Sequence, residues 1–163
     1  MMLILGLDPG SLRFGIGIVK KEKRRFSYVH SETIRLQAPD FIERMRQLLA
    51  HLDRVLAAYP LLEQAAMEEG FLGKNIRSMA LLATVRGVAM AALLQRRLPL
   101  GLYAPRQVKQ ALTGYGNADK EQVAKMAALV LGIPGRSPGF DESDALAVAY
   151  CHGAVSYTHL RAH

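Results

Sequence analysis

The stretch from Met2 to Val19, MLILGLDPGSLRFGIGIV, constrains the fold of this chain more than any other segment. Leu3 to Leu7 is a continuous apolar run, too short for a helix and followed by a Pro-Gly turn, which is typical of a strand buried on both faces. Arg13 to Val19 then alternates between large apolar residues and small ones. The stretch therefore predicts a β-hairpin whose first strand ends on a carboxylate, Asp8.

Asp8 requires an explanation, because a carboxylate at the end of a buried strand is costly unless it is paired or bound to a metal ion. A local alternative exists. Asp-Pro-Gly is favourable turn chemistry, and an aspartate can cap its own turn. These residues alone leave both explanations open.

The rest of the chain predicts one α/β domain. Three antiparallel strands are followed by alternating helices and strands, which indicates a five-stranded mixed sheet flanked by helices. We expect residues 1–155 to form this domain, and residues 156–163 to be a short tail, frayed or added, without an assigned function. The segments predicted after the hairpin are a turn at Lys20–Arg25, a strand at Phe26–Leu36, a helix at Asp40–Tyr59, a strand at Ala65–Glu68, a helix at Ile76–Gln95, a strand at Leu100–Tyr103, and helices at Arg106–Leu112, Asp119–Leu131 and Asp141–Ala154.

Composition limits the classes of function. A single cysteine, Cys151, excludes an internal disulfide framework and fits a reducing cytoplasm. The net charge of +7 points weakly to nucleic acid, and more strongly if several of the 14 acids share one site. The N-terminal apolar run is too short for a signal peptide. The most apolar long stretch, Met79–Leu94, is interrupted by Arg86 and is shorter than a membrane span, so we expect no membrane partner.

Acidic residues stand at several predicted element ends. Asp8 and Glu68 each end a strand, and Asp141 and Asp144 share one face at a helix start. Such acids can converge at one sheet edge, where they require protons or cations. Oxygen ligands select hard cations such as Mg²⁺ or Mn²⁺, and two such ions can hydrolyse a phosphodiester. Structural alternatives are an N-cap at Asp141, a dipole-stabilised Asp144, and a solvated Glu68–Glu69 pair.

Several motifs resemble those of the RuvC family, the bacterial Holliday-junction resolvases. In chain order they are GLDPGS with RFGIGIV, AAMEEGFLGKN, YAPRQVKQALTGYGNADKEQV and DESDALAVAY, from about Met2 to about Ala154. The resemblance implies a ribonuclease-H-like fold and a homodimer that makes paired, symmetric nicks in four-way DNA junctions during recombination and repair. It also implies two Mg²⁺ ions per active site, with Mn²⁺ as a substitute, and a cytoplasmic enzyme that works with the branch-migration proteins RuvA and RuvB.

The resemblance also implies residue roles. It implies that Phe71 stacks at the junction centre, as an aromatic wedge can, and that Lys109 and Lys120 contact phosphates. Without the resemblance, Phe71 is an ordinary core residue and the two lysines are ordinary surface residues. Some relatives have His at the position of Asp141, and the tail from Ser156 departs from the family's usual basic C-terminus. The implied catalytic and metal-binding acids are Asp8, Glu68, Asp141 and Asp144.

The predicted helix from Ile76 to Leu94 is apolar or small nearly all round, whereas a helix covering a small domain normally keeps a broad polar face. We therefore expect one face to meet the sheet and the other to meet a second molecule around a two-fold axis. The alternative is a helix buried wholly in its own core. The first face comprises Ile76, Ala80, Ala83, Gly87, Ala91 and Leu94, and the second Leu81, Leu82, Val85, Val88, Ala89 and Ala92.

Three other classes of protein share parts of this pattern. A ribonuclease-H-like nuclease acting on RNA would have the same metal site and a different substrate. Actin-like ATPases and sugar kinases cradle phosphate with a similar hairpin, but they clamp nucleotide between two domains, for which 163 residues leave no room. A non-catalytic DNA-binding module would have lost the acids, and all four are present.

Overall fold

The computed structural model describes residues 1–70, 73–135 and 138–162, the last seven by their backbone alone. The strands and helices agree with the predicted α/β class and its mixed sheet of five strands. The strands are β1 (Met2–Asp8), β2 (Arg13–Glu22), β3 (Arg25–Arg35), β4 (Leu62–Glu68) and β5 (Leu100–Tyr103). The helices are α1 (Phe41–Ala58), α2 (Ile76–Gln95), α3 (Pro105–Thr113), α4 (Lys120–Leu131) and α5 (Phe140–Ala162).

The sheet has the strand order β3-β2-β1-β4-β5. β1 pairs antiparallel with β2, and β2 with β3, whereas β1, β4 and β5 run parallel. Leu7 is paired with Met67, so Asp8 and Glu68 follow at the C-terminal ends of two neighbouring parallel strands. The topology therefore places these two acids at the same edge of the sheet.

The two faces of the sheet carry different layers. On one face, Leu5, Leu7 and Phe14 are fully buried in a cluster that includes Leu48 and Leu52 of α1 and the buried side chains of α2. Burying one such side chain contributes about 1.5–3 kcal/mol. On the other face α5 crosses β1, β2 and β4, and α3 and α4 pack against it. This second layer brings the start of α5 to the edge that carries the two acids.

Glycines let α5 lie unusually close to the sheet. A Cβ at Gly6 would lie 1.9 Å from the carbonyl oxygen of Ala145, and one at Gly15 would lie 2.2 Å from that of Asp141. Gly15 is also the residue paired with Asp8 across β1 and β2. The alternating glycines of the hairpin therefore set the distance between Asp8 and the helix that carries Asp141.

We expect Gly6→Ala to destabilise the fold strongly, because its methyl group would meet helix backbone rather than a movable side chain. Overpacking of this kind costs up to about 3 kcal/mol, or roughly 6–12 °C in Tm for a chain of this size. Gly70→Ala is the matched control, since its Cβ would meet only the Arg86 side chain, at 3.5 Å. Calorimetry of both variants tests this, and equal melting temperatures would contradict the close approach of α5.

The β2–β3 hairpin is longer than its sequence suggests. The predicted turn is present, but its bounds of Lys20–Arg25 are too wide, because Lys20, Lys21 and Glu22 pair with Ser27, Phe26 and Arg25. The turn is confined to residues 23 and 24. Charged side chains suit the exposed end of a hairpin as well as they suit a loop. β4 likewise begins at Leu62, earlier than the predicted Ala65, because pairing with β1 outweighs the helical preference of LEQAA.

The last helix differs from the prediction at both ends. It begins at Phe140, so Asp141 lies in its first turn, and the N-cap alternative for Asp141 is wrong. The backbone remains helical to Ala162, beyond Ala154, where we expected the helix to end. No glycine or proline follows Gly153, and residues such as Ala and Leu favour helix.

Helix α2 has one covered face and one open face. Val85, Ala89, Ala92 and Leu93 are buried, so the alternative of a wholly buried helix is wrong. Ile76 is 83% exposed and Leu94 62% exposed. All six residues of the first predicted face are exposed, namely Ile76, Ala80, Ala83, Gly87, Ala91 and Leu94.

Among the described residues, α2 is also the one helix long and apolar enough to cross a membrane, judged by length and composition alone. This corrects the expectation that the stretch is too short, because the helix extends beyond Met79–Leu94 at both ends. Two features of α2 suit a core helix covered on one side. Its buried residues pack into the core with α1, and Arg86, near its middle, donates a hydrogen bond to the carbonyl oxygen of Glu68.

Candidate active site

The fold brings the four predicted acids together at one sheet edge. Asp8 ends β1, Glu68 ends β4, and Asp141 and Asp144 lie one turn apart at the start of α5. All four side chains are half-buried. Each of the other three acids acts electrostatically on Asp8, which places Asp8 at the centre of the group. The predicted convergence of these residues is therefore present in the structure.

Burial and mutual repulsion make this group reluctant to ionise. Burial, followed by the charges of Asp144, Glu68 and Asp141, raises the pKa of Asp8 from 3.8 to about 8. Burial also raises the pKa of Glu68, with a further contribution from Asp144. Burial is also the main cause of the raised pKa of Asp144. Such a cluster carries more negative charge than its surroundings neutralise, which is the electrostatic requirement for binding a cation.

The donor set fits a hard divalent cation, because every side chain in the cluster offers carboxylate oxygens. Among the described parts of the chain, no group of three or more His, Cys, Asp or Glu side chains forms a ready-made metal site. Like charges repel, and a divalent cation offsets that repulsion. The fit therefore rests on the chemistry and electrostatics of the acids.

Basic side chains surround the cluster. Burial raises the pKa values of Glu68 and Asp144, and nearby lysines partly offset this rise. Lys109 lowers the pKa of Glu68, and Lys120 and Lys109 lower that of Asp144. Both predicted lysines therefore lie near the acids. Arg86, which the sequence presented only as an interruption of an apolar helix, also lowers the pKa of Glu68. A lone arginine in an otherwise apolar helix was the sequence feature that could have indicated this contact. Phe71, the predicted junction wedge, lies outside the described residues.

A fifth acid holds the start of α5 in place. Glu142 lies between Asp141 and Asp144 in the sequence, and its side chain is buried. Its Oε1 accepts a hydrogen bond of 2.8 Å from the Ser31 hydroxyl on β3. Its Oε2 accepts a hydrogen bond from the backbone N–H of Gly139 at 3.2 Å. Glu142 thus ties the first turn of α5 to the sheet and to the preceding loop. No pattern in the sequence predicts this role, because Glu142 resembles any acid in a first helical turn.

A buried histidine fixes the same helix further along. The Nδ1 atom of His152 is 2.6 Å from the Tyr103 hydroxyl of β5, and Nε2 is hydrogen-bonded to the Gln64 side chain of β4. Burial, followed by the charge of Lys21, lowers the pKa of His152. These polar contacts tie α5 to β4, which carries Glu68, and to β5 beside it. No local sequence pattern predicts them.

Known proteins of one family are similar to this chain over nearly its whole length. The family described as "Crossover junction endodeoxyribonuclease RuvC" matches residues 4–152. RuvC of Photobacterium profundum is 42% identical over 159 residues, which cover 98% of this chain and 89% of that protein. RuvC of Acinetobacter baylyi is 39% identical over 156 residues, covering 96% of this chain and 85% of that protein.

Solved structures give the same result. Thermus thermophilus RuvC superposes with a TM-score of 0.83 at 30% identity over 97% of each chain. T. thermophilus RuvC in complex with Holliday junction substrate gives a TM-score of 0.88 at 31% identity, over 98% of this chain and 97% of that one. The fold is ribonuclease-H-like, as the resemblance implied. By sequence and by structure, this chain belongs to the RuvC family.

Proposed function

We propose that this chain is a structure-specific endodeoxyribonuclease that resolves Holliday junctions in DNA recombination and repair. The observation that carries the proposal is the cluster of Asp8, Glu68, Asp141 and Asp144 at one sheet edge. It occurs in a chain that is 42% identical to the crossover junction endodeoxyribonuclease of P. profundum. The chain also superposes on a RuvC bound to Holliday junction substrate.

We propose that the four acids hold Mg²⁺, two ions in each active site, and that Mn²⁺ can substitute. Such ions supply activation of the attacking water and stabilisation of the leaving oxygen. The chain contributes the rigidity of the site, since Asp8 and Glu68 stand on neighbouring strands and α5 is fixed by Glu142 and His152. Protons compete with cations for these carboxylates, so cation affinity should fall as the pH drops below about 8.

We assign DNA binding to Lys109, Lys120 and Phe71. Lys120 is exposed and Lys109 half-buried, and both lie near the acids, where a phosphate of the cut strand must lie. The proposed role of Phe71 is to wedge into an opened base step beside Glu68.

We expect Lys109→Ala and Lys120→Ala to weaken binding to every junction sequence alike, because phosphate contacts carry no sequence information. Each lost contact should reduce the slope of log K against log salt by roughly 0.9. Fluorescence anisotropy between 50 and 200 mM salt measures this. Lys125→Ala on α4 is the charge-matched control, because Lys125 does not act on the acids. Unchanged slopes for both variants would return Lys109 and Lys120 to the ordinary surface.

We propose that the protein acts as a homodimer in the cytoplasm, with RuvA and RuvB as partners in branch migration. The exposed apolar face of α2 is the surface for the second copy, since Gly87 and Ala91, four residues apart, permit close approach of two helices. Residues 1–155 then form the nuclease domain, and residues 156–163 are a tail without an assigned role.

A ribonuclease-H-like nuclease that cuts RNA remains the nearest alternative, because it would use the same acids. The test is cleavage by the purified protein of a synthetic four-way DNA junction, a DNA duplex of the same sequence and a structured RNA, each with Mg²⁺ and with EDTA. We expect Mg²⁺-dependent nicking of the junction and little cleavage of the other two. Preferential cleavage of the RNA would overturn the proposed function.

A further inference from the structure

We propose that Arg13 and Arg35 together bind one backbone phosphate of the DNA strand that enters the active site. The inference rests on the proposed function and adds a phosphate subsite to it. The two arginines are directly paired across β2 and β3, at the end of the hairpin nearest the acids. Both side chains are exposed.

The pairing itself is unusual, because like charges directly opposite each other in an antiparallel sheet are destabilising. Among the residues that the structure describes, neither arginine lies within 4.0 Å of a carboxylate oxygen. Two guanidinium groups side by side, without an ion pair to a described carboxylate, form a site for an anion, and guanidinium matches phosphate geometry with paired hydrogen bonds.

The arginines share a groove with the active site. A cavity of about 500 Å³ is lined by Arg13 and Arg35 together with Lys120 and Asp141. Lys120 and Asp141 also belong to the acid cluster through their effects on Asp8. A DNA strand whose phosphate lies at the acids can therefore continue into this groove.

The other acids that line the groove are already engaged. Glu32 lies with one carboxylate oxygen 2.7 Å from His51 Nε2 and the other 3.2 Å from His30 Nε2. Glu142 accepts the hydrogen bonds from Ser31 and from Gly139. The carboxylate oxygens of Glu32 and Glu142 are therefore directed to these partners and form no ion pair with Arg13 or Arg35.

The spacing suits a neighbouring phosphate rather than the scissile one. Strands lie about 4.8 Å apart and rise about 3.3 Å per residue, which puts the Cα atoms of Arg13 and Arg35 roughly 8 and 12 Å from that of Asp8. Such a separation favours a phosphate farther along the same strand over the phosphate that lies at the acids. Lys109 acts on Glu68, which lies on β4, whereas the arginines lie on β2 and β3, on the other side of β1. The arginines therefore extend the basic surface away from Lys109, across the sheet.

The test is junction binding as a function of salt, in an Asp8→Asn background so that cleavage does not interfere. Arg13→Ala and Arg35→Ala should each weaken junction binding. The double variant should reduce the slope of log K against log salt by roughly 0.9, the value for one phosphate, because no arginine is then left to neutralise it. The matched control is Arg25→Ala, since Arg25 is exposed on the same strand as Arg35 but at its far end, where β2 and β3 turn. Melting temperatures should be unchanged or slightly raised, because the side chains are exposed and each variant removes the repulsion between the paired arginines.

A neutral methylphosphonate, moved along the nicked strand, locates the phosphate. At one position the methylphosphonate should weaken binding of the protein that has both arginines. On DNA modified at that position, Arg13→Ala should cause no further loss of affinity. An unchanged salt slope in the double variant, or an equal change in Arg25→Ala, would overturn the inference. The two failures are distinguishable. A wild-type protein that nicks junctions while the arginine variants bind normally refutes only this subsite, whereas a wild-type protein that does not nick junctions refutes the proposed function.

Discussion

Asp8→Asn, Glu68→Gln and Asp144→Asn should each abolish Mg²⁺-dependent nicking of a four-way junction while leaving junction binding largely intact. Each change keeps the shape of the side chain and removes a negatively charged oxygen from the cluster. Loss of a cation ligand removes several kcal/mol of transition-state stabilisation, which corresponds to a rate loss of roughly 10²–10³-fold or more. Binding depends on the basic surface, so removing an acid should leave the affinity unchanged or increase it.

The matched control for these variants is Glu69→Gln, because Glu69 is an exposed acid directly after Glu68. Nicking rates and dissociation constants are measured for all four proteins at saturating Mg²⁺. Near-normal nicking by any one of the three cluster variants would show that the acid cluster is wrongly assigned. A loss of nicking in Glu69→Gln of the same size would show that the effect is not specific to the cluster.

The same cluster predicts a pH dependence of stability. The carboxyl group of Asp8 has a pKa of about 8 in the folded protein and an ordinary value of 3.8. The unfolded chain therefore releases this proton first, and its ionisation makes the folded state progressively less stable between about pH 4 and pH 8. Asp8→Asn has no carboxyl group to ionise at this position, so it does not lose this stability. It should melt at a higher temperature than the wild type at pH 8 without divalent cations. Mg²⁺ should raise the Tm of the wild type more than that of the variant.

Gly87→Glu should convert the protein into a folded monomer that binds junctions poorly. A Cβ at Gly87 meets no atom within 4 Å, so the chain itself accommodates a side chain there. A charge placed in the centre of an apolar interface between two copies is costly, because it loses its hydration without gaining a partner. Light scattering gives the oligomeric state and circular dichroism the fold, and junction affinity is measured on the same samples.

The control for this variant is Ala50→Glu, since Ala50 is a small exposed residue on α1, in the same helical layer. It should leave both the dimer and the affinity unchanged. Two outcomes would contradict the interface. An unfolded Gly87→Glu variant would mean that the position is buried within the chain, and an undisturbed dimer would mean that the copies meet elsewhere.

The sequence predicted the parts of the site that follow from local patterns. A buried apolar run ending in Asp8 and a short strand ending in Glu68 can be recognised residue by residue. Parallel pairing of their strands then places both acids at one edge. The helix that carries Asp144 was recognisable too, although its first residue was misplaced by one position. The open face of α2 could be predicted for a similar reason, because helical periodicity assigns residues to faces without a structure.

The remaining features depend on contacts between residues far apart in the chain. Ser31 and Glu142 are separated by 111 residues, and neither has a local pattern that predicts a buried hydrogen bond to the other. The contact of Arg86 with the Glu68 carbonyl oxygen is hidden in the same way. Arg13 and Arg35 become a pair only once the strand register is known. Charge alone also misled the prediction at the β2–β3 turn, where lysines and arginines belong to paired strands.

The proposed function requires that two copies of this acid cluster cut opposite strands of a junction symmetrically. The most direct measurement uses a four-way junction in which the two opposite strands of like polarity carry different end labels, incubated with the protein and Mg²⁺. We predict one nick in each labelled strand at the same distance from the junction centre, none with EDTA, and none with Asp144→Asn. Nicks at unrelated positions, nicks confined to one strand, or nicking that survives in Asp144→Asn would contradict it.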